Sequence, residues 1–350
     1  MEVNMKNIIK KICLILALVL SLSVLLFGCN KKEEEPGTSA TYRFTAPEGT
    51  PALAILRLCT DNKTISGHEM QYEIVAPSNI AAEMSSKKSD LVIMPVNAGA
   101  NLIKQGADYK LVSIAVDGSL YMVGRTETGG EILFGDIVGK KVACIGKTGV
   151  PGLIFRYLLK KNGLTAIEEG TPDETKNEVL VTYVADGPAA KTLLANRSEG
   201  GVDFAVVGEP AATTFLSAAP LGLNAKMDLQ EKYKNVTENV VAPYPQAGLF
   251  VKKEIAENTS FMNELYSALN ASKEWVVSHP SEVDAFAKAN LYESAVFPAA
   301  SIPNCAVNGQ KITASGKEQV IILLNNIAPK DANGNQNDWN SLRGKLFINE

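Results

Sequence analysis

Apolar and polar positions alternate along the chain in two rhythms, short β-type runs and longer stretches at helical spacing. Tyr42–Ala46 reads as a strand, followed by a Pro-Glu-Gly-Thr turn. Pro51–Leu58 is apolar at helical spacing, with Thr50 at the N-cap and Pro51 at the first helical position. Tyr72–Val75 predicts a strand and Ser78–Lys87 a helix. Asp90–Met94 is a buried-type strand, Asn97 caps a helix over Ala98–Gln105, and Lys110–Val116 is a strand. This β-α-β-α-β order predicts a largely parallel sheet with helices on both faces.

The rhythm then restarts. Lys140–Ile145 is a strand, Gly146–Gly149 a turn, and Pro151–Lys161 a helix that Asn162-Gly163 ends. Thr182–Ala185 and Asp203–Val207 are strands, each followed by a helix, over Pro188–Asn196 and from Pro210 to Leu216. Gln246–Lys252 alternates like a returning strand. Helices follow over Thr259–Ser278, Ser281–Ala289 and Lys317–Ile327, and the tail Pro329–Asn340 is polar and rich in turns. Two α/β units in series are therefore expected.

The N-terminus follows another logic. Lys6, Lys10 and Lys11 precede an uncharged, predominantly apolar run, Ile12–Phe27. The run falls short of the ~20 residues of a membrane span and fits the apolar region of a secretory signal. It ends in Leu26-Phe27-Gly28-Cys29, which resembles a bacterial lipobox. That resemblance implies a signal peptide over residues 1–28, with Cys29 acylated as the first mature residue. Residues 29–41 are polar and charged, as suits a flexible tether.

Charge and cysteine content narrow the classes. The net charge is −4, and the leader carries +2, so the mature chain stands at −6. Dispersed, mildly acidic charge argues against a nucleic-acid binder. Cys13 leaves with the leader and Cys29 takes the lipid, which leaves Cys59, Cys144 and Cys305. Their number and spacing fit neither a disulfide framework nor a zinc site, and a Cys59–Cys305 bridge stays open. Asp331–Asn335 is not a calcium loop, because Leu342 stands where its bidentate Glu belongs. No metal or cofactor is expected.

Four motifs occur in order: Ala46-Pro-Glu-Gly-Thr-Pro51, Ser89-Asp-Leu-Val-Ile-Met-Pro-Val-Asn97, Ile137 through Gly149, and Asp203-Phe-Ala-Val-Val-Gly-Glu-Pro210. Together they resemble the nitrate/sulfonate/taurine-type substrate-binding proteins of ABC transporters, the SsuA/THI5-like or NMT1-like group, from about Tyr42 to the C-terminus. The resemblance implies a type II periplasmic-binding fold, with two α/β lobes joined by two crossing segments. Lobe 1 would hold residues 42–123 and 249–350, and lobe 2 residues 124–248. The crossings would lie near Tyr121–Arg125 and Gln246–Val251. It also implies a lipid-anchored, extracytoplasmic monomer that hands a small solute to a membrane permease powered by a cytoplasmic ATPase.

Open α/β sheets bind ligands beyond the carboxyl ends of their strands. That rule selects Gly49, Thr50, Asn97, Gly146, Lys147, Thr148, Gly149, Asp186 and Glu209, with Tyr121 as a ring for stacking. Each also has a plainer role: Thr50 and Asn97 as helix caps, Asp186-Gly187 as a turn, the glycines as turn residues. Lys147-Thr148 looks like the end of a phosphate loop, but Lys141 stands where that loop requires Gly. Lys147 would suit an anion, whereas Glu48, Asp186 and Glu209 would suit a hydrogen-bond donor. Two competing readings are an enzyme on the same fold and a ligand-sensing lipoprotein. The chain has only His68 and His279, and neither follows a sheet strand, which disfavours the enzyme.

Overall fold

The computed structural model describes residues 40–238, 243–330 and 333–348. The apolar leader, Cys29 and most of the tether lie outside them. No helix of the described residues is long and apolar enough to cross a membrane.

Thirteen strands are described. They are β1 (Tyr42–Pro47), β2 (Thr64–Ile65), β3 (His68–Val75), β4 (Leu91–Pro95), β5 (Tyr109–Asp117), β6 (Leu120–Gly124) and β7 (Gly130–Glu131), then β8 (Lys141–Ile145), β9 (Thr165–Ile167), β10 (Glu178–Val184), β11 (Phe204–Gly208), β12 (Ala225–Asp228) and β13 (Pro245–Lys252). They form a six-stranded sheet in the order β2-β3-β1-β4-β13-β5 and a seven-stranded sheet in the order β7-β12-β6-β11-β8-β10-β9. In the first, β1 runs parallel to β3 and β4; in the second, β8 runs parallel to β10 and β11. Leu91–Met94, Val142–Cys144 and Phe204–Val207 are buried throughout. Continuous apolar runs of this kind suit strands covered on both faces, and each buried Val, Leu or Ile contributes about 1.5–3 kcal/mol.

The two sheets share one plan. Each has a parallel core, and each includes a strand that runs antiparallel after arriving from the other lobe. In the second sheet this is β6, between β11 and β12; in the first it is β13, between β4 and β5. This is the two-lobed type II arrangement, with mixed sheets in both lobes. The expected crossing ranges fall largely inside these two strands. Tyr121–Gly124 already pairs in the second sheet, and Gln246–Val251 lies within the first. The chain passes out of the first sheet at Gly118-Ser119 and re-enters it at Pro245. Expected boundaries at residues 123 and 249 therefore cut through paired strands. The segments that change lobes lie a few residues earlier, and sequence alone does not separate β5 from β6 because both are apolar.

Two expected caps also differ. Gly49, not Thr50, holds the N-cap of the helix Thr50–Leu53, and Pro95, not Asn97, that of Val96–Lys104. Thr50 is the first residue of its helix and Asn97 the second, and their side chains are free for other partners. The expected Pro51–Leu58 helix breaks after Leu53. Ala54, Ile55 and Leu56 donate three residues back, a tighter winding, before Leu58–Asp61 resumes.

The apolar core runs through both lobes. One cluster contains Val92 and Met94 of the first sheet with Met122, Val142 and Val206 of the second. The helix Ala314–Ile327 packs on β13 and also on the second-lobe helix Val150–Lys161, and Asn326 Nδ2 donates at 3.0 Å to Tyr233 Oη of the neighbouring helix Leu229–Val236.

Candidate functional site

Parallel strands direct their carboxyl ends to one edge of a sheet, and the ends of β1 and β4 meet those of β8 and β11. Thr50, just past β1, donates through Oγ1 to the backbone carbonyl of Glu209, just past β11, at 2.6 Å. Asn97, just past β4, donates through Nδ2 to the backbone carbonyl of Thr148, just past β8, at 2.9 Å. Four of the residues selected from sequence thus form two direct links between lobes. Thr50, Asn97 and Glu209 are nearly fully buried, at 3%, 2% and 7% exposure.

Glu209 is held from several sides. Its carboxylate accepts from Thr213 N at 3.0 Å and from Thr213 Oγ1 at 2.8 Å, and Asn304 adds a further bond. Its own amide donates to the Ser119 carbonyl in the crossing. Burial pushes its pKa up from the ordinary carboxylate value, while the bonds from Thr213 and Asn304 and the charge of Lys226 oppose the rise.

The other selected residues divide. Gly49 takes φ +90°, in the left-handed region that favours glycine, and its N–H donates to Tyr292 Oη at 3.0 Å. Gly146, at φ +64°, turns the chain so that its carbonyl accepts from Gly149 and Gly152. A Cβ on Gly152 would lie 2.7 Å from that carbonyl, so the turn needs glycine there as well. Gly149 caps the helix Val150–Lys161. Asp186 is exposed and caps Gly187–Ala195 by accepting from Ala189 N at 2.9 Å, the plain turn-and-cap role. Tyr121 is buried in the apolar cluster of the second lobe, with the Lys226 ammonium 5.6 Å from its ring centroid. Burial raises its hydroxyl pKa, and Asp228 and Glu209 add to the effect.

Lys147 is where the structure departs most from the expectation of an anion-facing cation. Its ammonium pairs with Glu168 and lies 5.3 Å from the Tyr183 ring centroid. Arg156 donates to the Lys147 carbonyl and to Tyr183 Oη, which closes a surface cluster on the second lobe.

Sequence reasoning passed over Tyr292, Asn304 and Cys305. They come from an irregular stretch that packs behind Thr50 and Glu209. Cys305 is fully buried and hydrogen-bonded to Thr50, and burial pushes its thiol pKa up to about 12. With no period or turn signature in that stretch, only the fold brings these groups to the cleft. Cys59, Cys144 and Cys305 are all free thiols, so Cys59 and Cys305 are not bridged. His68 stacks on Tyr42 at 4.5 Å and His279 on Trp275 at 5.1 Å, so both histidines serve packing in the first lobe. Among the described residues no group of three or more His, Cys, Asp or Glu side chains could hold a metal ion.

Known structures share this architecture. The crystal structure of an ABC transporter protein from Parabacteroides distasonis superposes with a TM-score of 0.65 at 20% identity, covering 86% of this chain and 97% of that one. The chain has the fold of ABC-transporter binding proteins. The periplasmic aliphatic sulphonate binding protein SsuA from Escherichia coli matches with a TM-score of 0.56 at 14% identity, covering 81% of this chain and 85% of that one. The zinc-bound ligand binding component of an ABC-type import system from Staphylococcus aureus gives a TM-score of 0.56 at 12% identity, over 82% and 91% of the two chains. No protein-family description matches the sequence. No curated protein matches it either.

Proposed function

We propose that the chain is an extracytoplasmic solute-binding lipoprotein, anchored through Cys29, that captures a small solute between its lobes and delivers it to an ABC importer. The observation that carries this reading is the pair of interlobe hydrogen bonds, Thr50 to Glu209 and Asn97 to Thr148. They lie at strand carboxyl ends, where open α/β sheets bind ligands. A solute touching both lobes has more contacts when they are closed, so binding shifts the population toward closure. The closed form then presents one combined face to the permease. No chemistry on the solute is required. The fold shared with the Escherichia coli sulphonate binding protein and the Staphylococcus aureus import component supports a transport role.

Two measurements test the proposal. A Cys29→Ser chain should leave the membrane fraction or keep its leader, and unchanged fractionation and mass would remove the lipid anchor from it. Small-angle scattering of the mature chain, titrated with a solute that raises its melting temperature, should show a single more compact form at saturation. A scattering curve that does not change on saturation with such a solute would remove closure.

A further inference from the structure

Asn97 carries an atom that the protein leaves unsatisfied. Its side chain is 2% exposed, and its Oδ1 is buried without a hydrogen-bond partner. The orientation of the amide is fixed by chemistry. The Thr148 carbonyl can only accept, so the amide nitrogen must face it, and the oxygen is the free end. A buried acceptor without a partner is costly, and it sits at the contact between the lobes.

The neighbouring groups have the same bias. Three of the side-chain donors that the sequence directs to the cleft are already engaged inside the protein. The Thr50 hydroxyl is on the Glu209 carbonyl, the Asn97 amide nitrogen on Thr148, and the Lys147 ammonium on Glu168. Acceptors remain in surplus. Besides Asn97 Oδ1 there is the buried Glu209 carboxylate, and each of the two carbonyls at the links has a second lone pair. The amides that open the helix Val150–Lys161 would suit an anion. Thr148 lies two residues before that helix, however, so an anion seated there would be brought up against Asn97 Oδ1, acceptor against acceptor.

Resting on the solute-binding reading, we propose that the cleft takes a neutral or cationic solute whose N–H group donates to Asn97 Oδ1, and that it discriminates against sulfonates and other anions. Glu209 sets the sign of the discrimination, and Asn97 supplies the directional bond. A cation or strong donor would also relieve the desolvation of the Glu209 carboxylate.

The test uses the mature chain, freed of bound solute by unfolding and refolding, in melting assays and calorimetry. One set of probes is cytosine, adenine, guanidinium, putrescine and the amides of small amino acids. The other is ethanesulfonate, taurine, nitrate, sulfate and phosphate. Stabilisation by members of the first set and none of the second is the expected result. For a binder of the first set, Asn97→Leu should weaken affinity about tenfold to a hundredfold, because a buried bond to the ligand is lost. Methylating the donating N–H of the ligand should weaken binding similarly, and the two changes together should cost little more than either alone. Binding by the second set with the first inert would overturn the donor proposal and leave the solute-binding reading standing. Unchanged affinity of Asn97→Leu for a first-set ligand would also overturn it. Stabilisation by no compound of either set would remove the proposal together with the reading beneath it. The wild-type panel decides the ligand class even if Asn97→Leu does not fold.

Discussion

The crossing between the lobes and the cleft between them are both buried and polar, yet they are satisfied to different degrees. At the crossing, Gln230 accepts from Leu120 N at 2.9 Å and from Tyr244 Oη at 3.1 Å, and donates to the Leu120 carbonyl at 3.0 Å. Gln246 accepts from Ser119 N at 3.2 Å, and Gly118 N donates to the Tyr244 carbonyl. At the cleft the first lobe donates both direct bonds, from Thr50 and Asn97 to carbonyls of the second, and Asn97 Oδ1 is left over. A network with every member paired holds one geometry, whereas an orphaned group marks a place where a partner is to come. The crossing thus defines the path of the chain, and on the proposed reading the solute completes the cleft.

The comparison breaks most visibly at Gln230. Replacing it with Leu keeps the volume but leaves the Leu120 N–H and carbonyl and the Tyr244 hydroxyl without their partner in a buried setting. Each such loss costs about 1–3 kcal/mol, so Gln230→Leu should destabilise the chain by about 3 kcal/mol or more, read as a lower urea midpoint. A midpoint within error of wild type would mean that water replaces the side chain and that the crossing is open to solvent.

Asp117, the last residue of β5 before the crossing, sharpens the comparison through pH. Burial raises its pKa from 3.8 to about 6, against the opposing effects of the bond from Asn308 and the charge of Lys273. The raised value means that the folded state disfavours the charged form. Well below pH 3.8 the group is protonated in both states and carries no penalty. As pH rises through about 6 the unfolded chain ionises first, and the folded state loses stability relative to it. Asp117→Asn keeps an acceptor for Asn308 and removes the titration. It should therefore raise stability at pH 7.5 by about 3 kcal/mol and change it little at about pH 3. A gain that does not depend on pH would show that packing, not charge, is what the substitution alters.

Legibility from sequence follows the same division. The parallel strands β4, β8 and β11 read clearly because each carries a continuous apolar run bounded by turn residues, and β1 because Tyr42, Phe44 and Ala46 alternate with polar residues. Their carboxyl ends led directly to Thr50, Asn97, Thr148 and Glu209. Of the strands that change lobes, β13 read as the return over Gln246–Lys252, but β6 did not. β6 follows β5 after two residues, so its apolar run looks like an extension of the first lobe. β12 has four residues, two of them charged, and offers too little pattern to register. Tyr292 lies in irregular backbone and Asn304 and Cys305 at the end of a short 3-10 helix, and what brings them to Thr50 and Glu209 is tertiary packing with no local signature. Rules about strand ends therefore found the backbone positions of the cleft but not the direction of every side chain.

Lys147 is the residue where that limit matters, and it gives the smallest expected effect. Its backbone position follows β8 as the rule requires, and its neighbour Thr148 does meet the other lobe. Its side chain turns away, to Glu168 and the Tyr183 ring, with about half of its surface exposed. An exposed ion pair of this kind contributes about 0–1 kcal/mol to stability. Its charge also reaches the cleft only through solvent, where salt screens it over about 8–10 Å. Lys147→Met should therefore change the affinity for any ligand less than about threefold and lower stability by under about 1 kcal/mol. Glu209→Gln should weaken a cationic ligand far more, since that carboxylate is buried beside the Thr50 link. If Lys147→Met instead abolished binding of an anion while Glu209→Gln left binding intact, the lysine would have to swing from Glu168 into the cleft on closure. The contrast between a donor-seeking cleft and a satisfied crossing would then fail at its central point.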